Sequence, residues 1–183
     1  ARARQVLATE LGAQDFGPRW RIVRVNGLDT PWGEVDLQAF AGHPGAEALL
    51  VPKVNGPADL DRVARLVPGK PLWAMLETAA GCVNAAAIAA HPRLEGIVLG
   101  TNDLSRDLGA RFRADRLPLM AGLGAVVLAA KAAGKTVVDG VFNAFRDVDG
   151  LRAECEQGRD MGFDGKTLVH PSQIDIVNAV FAP

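Results

Sequence analysis

One rhythm constrains this chain more than any other: a short apolar run, a polar residue, then a helical pattern. Leu72-Trp-Ala-Met-Leu76 runs into Glu77, and Gly96-Ile-Val-Leu99 runs into Gly100-Thr-Asn-Asp103. Runs so short and so continuously apolar are typical of strands buried on both faces, as in parallel sheets covered by helices. Glu77 and Asp103 lie 26 residues apart, about one strand–helix repeat. Neighbouring parallel strands therefore bring both carboxylates out at one end of the sheet. Two carboxylates converging at a C-terminal sheet edge suit a hard divalent cation such as Mg2+.

The rhythm predicts six strands, near residues 20–27, Ala46–Val54, Leu72–Leu76, Gly96–Leu99, Thr136–Asp139 and Gly165–Val169. Helices are expected near the start of the chain, from Asn55 or Pro57 to Leu66, and over Val83–Ala90, Leu117–Ala133, Asp147–Met161 and Ser172–Ala179. Residues 28–45 read as a loop holding a single helical turn, and Asp103 as part of a short turn before an arginine-rich loop, Arg106–Arg116. Strict alternation implies an α/β fold with a parallel sheet. Polar residues close every strand: Arg24 and Asn26, Lys53, Glu77, Asp103, Asp139 and His170. In an open doubly wound sheet, ligands gather at one switch point, whereas in a barrel every strand end faces one mouth. The expectation is a (β/α)8 TIM barrel in a single domain, lacking its first strand–helix unit and second strand. The chain opens inside a helical pattern without a methionine, which predicts a piece of a longer protein.

Composition narrows the function. Acids and bases are interspersed and sum to a net charge of -1, unlike a nucleic-acid surface. No apolar stretch is long enough to predict a membrane helix. Cys82 and Cys155 form neither a zinc spacing nor a disulfide framework, so a reducing cytoplasm is the expected compartment. There is no Gly-x-Gly-x-x-Gly after the first strand and no phosphate loop of the Walker kind.

Each candidate has a plain structural alternative. Asp103 can be a helix cap, but Glu77 caps poorly and is followed by Thr78, which caps well. Both are therefore read as metal ligands, with Gly81 and Gly100 allowing close approach. Arg24 alternates with Val23 and Val25, so it points away from the helices, where a guanidinium can clamp a carboxylate or polarise a carbonyl. Lys53 reads as an anion attractor, a Schiff-base lysine or a solvated rim residue. Asp139 faces the mouth or caps a loop, and His170 is a weaker candidate. The cluster Arg106, Arg111, Arg113 and Arg116 is a solvated face or a contact for the phosphates of coenzyme A.

Taken in order, Arg24-Val-Asn26, Val51-Pro-Lys53-Val54, Leu76-Glu77-Thr-Ala-Ala-Gly81, Gly100-Thr-Asn-Asp103-Leu104, Asp139-Gly-Val-Phe142 and Gly162-Phe-Asp-Gly-Lys166-Thr-Leu-Val-His170-Pro-Ser-Gln-Ile174 resemble the citrate lyase β-subunit-like lyases of the HpcH/HpaI aldolase superfamily. The similarity runs from about Arg21 to Pro183. It implies a Mg2+-dependent lyase, usually trimeric, that cleaves or forms a carbon–carbon bond in malyl-, citramalyl- or citryl-type thioesters of coenzyme A or an acyl-carrier protein. It implies Glu77 and Asp103 as the metal ligands and Arg24 as the group holding the 2-keto acid. Lys53, Asp139 and the Gly100-Thr101-Asn102 backbone are the remaining substrate-binding candidates. The family's acidic Asp-Leu-Glu-Asp segment, expected before Ala1, and its C-terminal extension have no counterpart in this sequence, so no general acid or base is assigned. Two alternatives stand beside the lyase: a thioesterase on the same thioesters, and a catalytically silent subunit that binds them.

Overall fold

Alternation along each strand decides which side chains meet the helices and which turn away. The computed structural model describes residues 2–182, which contain strands β1 (Ile22–Arg24), β2 (Ala48–Val51), β3 (Leu72–Leu76), β4 (Leu94–Leu99), β5 (Thr136–Asp139) and β6 (Gly165–Lys166). All pair in parallel and in sequence order, giving a curled half-barrel sheet. Val23, Leu49, Ala74, Leu76, Ile97, Leu99 and Val137 face the helices and pack with Leu37, Leu60, Val63, Ile88, Leu123 and Val126. The intervening residues Ile22, Ala48, Leu50, Trp73, Met75, Val98 and Val138 form a smaller apolar layer on the other face. Gly96 makes room for that layer, because a Cβ there would sit 2.6 Å from the Trp73 ring.

The helices are α1 (Arg2–Ala13), α2 (Gly33–Ala41), α3 (Pro57–Leu66), α4 (Ala79–Val83), α5 (Ala85–Ala89), α6 (Thr101–Asp107), α7 (Met120–Ala132), α8 (Val148–Met161) and α9 (Ile174–Phe181). Pro57 at its first turn and the Asp59 carboxylate, which accepts from the Gly56 N–H, start α3. Gly162, with a positive φ of 101°, ends α8.

The sheet is not the closed (β/α)8 barrel that the polar strand ends predicted. β1 and β6 are its two edges and are not paired with each other. Closure requires strand number and stagger to agree around a complete ring, and this sheet is a linear run of six. Sequential order without a reversal still sends every strand end to one edge, so the polar pattern did not distinguish the two architectures. Local differences have local causes. Residues 33–41 form a full helix, α2, because Leu37 and Phe40 bury one face while Asp36 is held by Arg4 and by the Asn26 backbone and side-chain N–H groups. The helix expected over Val83–Ala90 is two short ones meeting at Asn84, whose amide turns aside to donate to the Asn55 carbonyl at 2.7 Å.

A second correction concerns Asp139. It shares the parity of Val137, so it faces the helices and is fully buried, away from the concave face. There Arg116 Nη1 donates to both of its oxygens, at 2.8 and 2.7 Å, and Lys166 Nζ donates at 3.1 Å. Lys166 also donates to Glu154 at 2.6 Å, and Arg116 Nε to Gln157 at 2.7 Å. Arg116 reaches this position from a left-handed backbone, φ 54°. Removing one member of a buried ion cluster leaves the others uncompensated. Asp139→Asn is expected to lower unfolding free energy by about 3 kcal/mol in urea titrations. A loss below about 0.5 kcal/mol would mean that the cluster contributes no more than a surface pair.

Candidate metal centre

β3 ends in Glu77, which shares the parity of Trp73 and Met75 and so emerges on the concave face. Its side chain is nonetheless buried, with 5% of the residue exposed. Two neighbouring strands hold it there. Beyond β2, Lys53 adopts a left-handed backbone, φ 51°, and its N–H donates to Glu77 Oε1 at 2.9 Å. Beyond β4, Gly100 lies directly alongside, where an added Cβ would collide with Glu77 Cβ and stand 2.7 Å from Oε2. Glycine is needed at 100 for space, since its φ of -100° suits any residue.

Asp103 stands in the first turn of α6, a helix and not the expected turn. Its carboxylate accepts from Arg106 at 2.8 Å. Burial pushes the Glu77 carboxyl above its ordinary range, and the Asp103 carboxylate beside it acts in the same direction. The Lys53 N–H and the positive charge of Arg24 oppose that rise. Arg24 closes β1 with an exposed side chain, and the loop after it is pinned where Asp36 accepts from Asn26 N at 3.0 Å and Asn26 Nδ2 at 2.6 Å.

The structure thus brings Arg24, Glu77 and Asp103 within electrostatic reach of one another, with the Lys53 backbone and Gly100 as their support. The Lys53 side chain is exposed, and what Lys53 supplies to the group is its N–H. The Gly100 N–H is taken by the Leu76 carbonyl at 3.0 Å, whereas those of Thr101, Asn102 and Asp103 open α6 without intrahelical partners. Thr101 is buried against Gly140, and Asn102 exchanges side-chain hydrogen bonds with Asn143 at 3.1 and 2.8 Å. Asp139 belongs to the buried ion cluster. His170 is exposed, stacks on Phe145 at 4.5 Å and bonds to Ser172.

Two hard oxygen donors, one desolvated and repelled by the other, fit Mg2+, which commonly takes one or two carboxylates and fills its octahedron with water or substrate. Among the described residues, no cluster of three or more His, Cys, Asp or Glu side chains is present that would hold a cation without such outside ligands. Beyond Asn102 lies a cavity of about 370 Å3 between α6, the arginine-rich loop and the loop after β5, lined by Ser105, Arg111, Phe112, Arg116 and Phe142 among others. No helix among the described residues is long and apolar enough to cross a membrane.

A sequential parallel α/β sheet with a carboxylate pair at its C-terminal edge defines a class of metal-dependent α/β enzymes. Within that class, the HpcH/HpaI aldolase/citrate lyase family matches residues 1–171, and the chain belongs to it. It is 65% identical over 181 residues to a (3S)-malyl-CoA thioesterase of Cereibacter sphaeroides, covering 99% of this chain and 63% of that protein. It is 31% identical to a mitochondrial citramalyl-CoA lyase of Mus musculus, covering 99% of this chain and 60% of the lyase. The chain thus spans less than two thirds of the length of these relatives. Among solved structures, the protein CitE of Mycobacterium tuberculosis in complex with magnesium, acetoacetate and coenzyme A superimposes with a TM-score of 0.85 at 32% identity, covering 99% of this chain and 66% of that one.

Two outcomes test this centre. A folded-state pKa above the unfolded value means that the folded protein binds the extra proton. Without divalent metal, stability is therefore greatest below the unfolded carboxylate range and falls as pH rises through the elevated Glu77 pKa. Urea titrations in EDTA across that range should show the decline, and Glu77→Gln should flatten it; an unchanged slope would remove Glu77 as its source. Gly100→Ala should displace the Glu77 side chain and weaken Mg2+ binding by roughly tenfold or more in calorimetry.

Proposed function

We propose that this chain carries the acyl-binding and metal-binding part of a Mg2+-dependent thioesterase acting on (3S)-malyl-CoA or a closely similar hydroxyacyl thioester. The observation that carries this reading is the 65% identity to the Cereibacter enzyme over 99% of the chain. The grouping of Arg24, Glu77 and Asp103 at one sheet edge supports it. Glu77 and Asp103 would hold the cation, which supplies Lewis-acid stabilisation of negative charge on substrate oxygen when bound. The Arg24 guanidinium pairs with the free carboxylate of the acyl group and fixes its orientation. The exposed Lys53 ammonium adds positive charge at the rim and draws in an anionic substrate. Buried Glu77, fixed by the Lys53 N–H and Gly100, keeps its carboxylate in place through the reaction. In hydrolysis, water forms a C–O bond to the thioester carbon, the C–S bond breaks, and malate and the free thiol of coenzyme A depart.

A second reading is the carbon–carbon lyase that the sequence motifs suggest, supported by the likeness to the mouse citramalyl-CoA lyase. Here the bond between the hydroxyl-bearing carbon and its neighbour breaks, giving glyoxylate and acetyl-CoA from malyl-CoA. The same oxygen ligands and the same arginine would serve it. Product analysis separates the two: free thiol with intact malate marks hydrolysis, and glyoxylate with an intact acetyl thioester marks cleavage. Glu77→Gln and Asp103→Asn should each reduce turnover at least about 100-fold, and EDTA should do the same to the parent protein. Wild-type turnover in Glu77→Gln would overturn the assignment of the pair. Arg24→Ala should act mainly on KM, since an orienting ion pair is lost while the carboxylates stay.

A further inference from the structure

The cavity beyond Asn102 has no part in the chemistry above, yet it has the makings of a binding site. At about 370 Å3 it lies at the small end of the range for ligand sites, suited to one section of a long molecule. Its walls are largely apolar, with Leu119, Val141 and Phe142 inside and Phe112 at the rim. Two of its polar side chains are more than nine-tenths buried and keep an atom without a hydrogen-bond partner, Ser105 Oγ and Arg116 Nη2. Burying such a donor without a partner costs free energy, which a ligand bearing carbonyl or phosphate oxygens would recover. At the rim, Arg111 is exposed and makes no ion pair among the described residues, whereas Arg113 is matched by Asp115. Cationic at its rim and apolar within, the cavity suits a chain that is apolar and amide-bearing in its body and phosphorylated at its far end.

Its position relative to the carboxylate pair decides which molecule that is. Asn102 lines the cavity and Asp103, the next residue of α6, belongs to the metal centre. A substrate whose acyl group meets Glu77 and Asp103 can therefore pass its thiol-bearing arm over the first turn of α6 into the cavity. Resting on the thioester reading above, we propose that this cavity is a phosphopantetheine subsite, with the arm against Phe142 and its phosphate at Arg111. Coenzyme A and a carrier protein both present that group.

The test compares kcat/KM of the full-length protein for malyl-CoA, malyl-carrier protein and malyl-pantetheine, which lacks the phosphate. The parent protein should prefer the phosphorylated thioesters. Arg111→Ala should reduce that preference about tenfold, through KM. Phe142→Ala should raise KM for all three. Whichever phosphorylated thioester is used faster names the source of the arm, and either supports the subsite. Equal use of malyl-CoA and malyl-pantetheine by the parent, or a preference unchanged in Arg111→Ala, would overturn it. Should none of the three react, the thioester reading fails and free coenzyme A, titrated calorimetrically, decides the cavity alone. Binding weakened about tenfold by Arg111→Ala sustains the subsite, and absent or unaffected binding ends it.

Discussion

A carboxylate that ends a central strand and is nevertheless buried must be held by more than its own strand. Glu77 is held by three: β3 carries it, the left-handed turn after β2 aims an N–H at it, and the end of β4 yields space through Gly100. The hydrogen bond is made only if β2 and β3 keep their register, and the space exists only if β4 keeps its own. A one-residue slip would turn every side chain of a strand to the opposite face and take Glu77 into the helix layer. Strand register and the metal centre are thus one constraint seen at two scales.

Two groups of charge near the same end of the sheet show what fixed partners decide. Asp139 meets Arg116 and Lys166 from the surrounding loop and strand, with Glu154 balancing the second cation, so the cluster is neutralised by the protein itself. Glu77 meets another carboxylate instead, and its nearest positive charge, Arg24, is solvent-exposed. The first arrangement is complete and serves the fold. The second lacks compensating charge, and a divalent cation supplies it. Burial alone would not have separated the two, since both carboxylates are almost wholly removed from solvent.

Most of the sheet was legible because fully buried strands leave apolar runs that stop abruptly. Leu72–Leu76 and Thr136–Asp139 fall where the apolar pattern places them. Closure into a barrel was not legible, because an open sequential sheet and a barrel produce the same polar strand ends. Alternation, which points Arg24 to the concave face, also points Asp139 to the helices, since Asp139 follows Val138 of the concave layer. Position at a strand end outweighed parity in reading Asp139 as a substrate contact, and parity governs the structure. Arg116 looked like one of several solvated arginines; its burial depends on Asp139 and Gln157, 23 and 41 residues away, which no local pattern reveals. The contribution of Lys53 through its backbone was equally hidden, since residue type says little about an N–H.

Trp73, Met75 and Val98 form an apolar floor beneath the carboxylates. Such a floor lowers the local dielectric and strengthens each interaction of Glu77 with the groups above it, repulsive or attractive. Before a cation binds, the floor magnifies the cost of a second negative charge beside Asp103; afterwards it magnifies the attraction. The same layer bears on the choice between hydrolysis and carbon–carbon cleavage. Both reactions place growing negative charge on a substrate oxygen near the pair, so both profit from it equally. They part at the next step, where hydrolysis needs water at the thioester carbon and cleavage needs a base at the hydroxyl proton. The carboxylate pair fixes where charge can grow, and access for water at that one carbon determines which bond breaks.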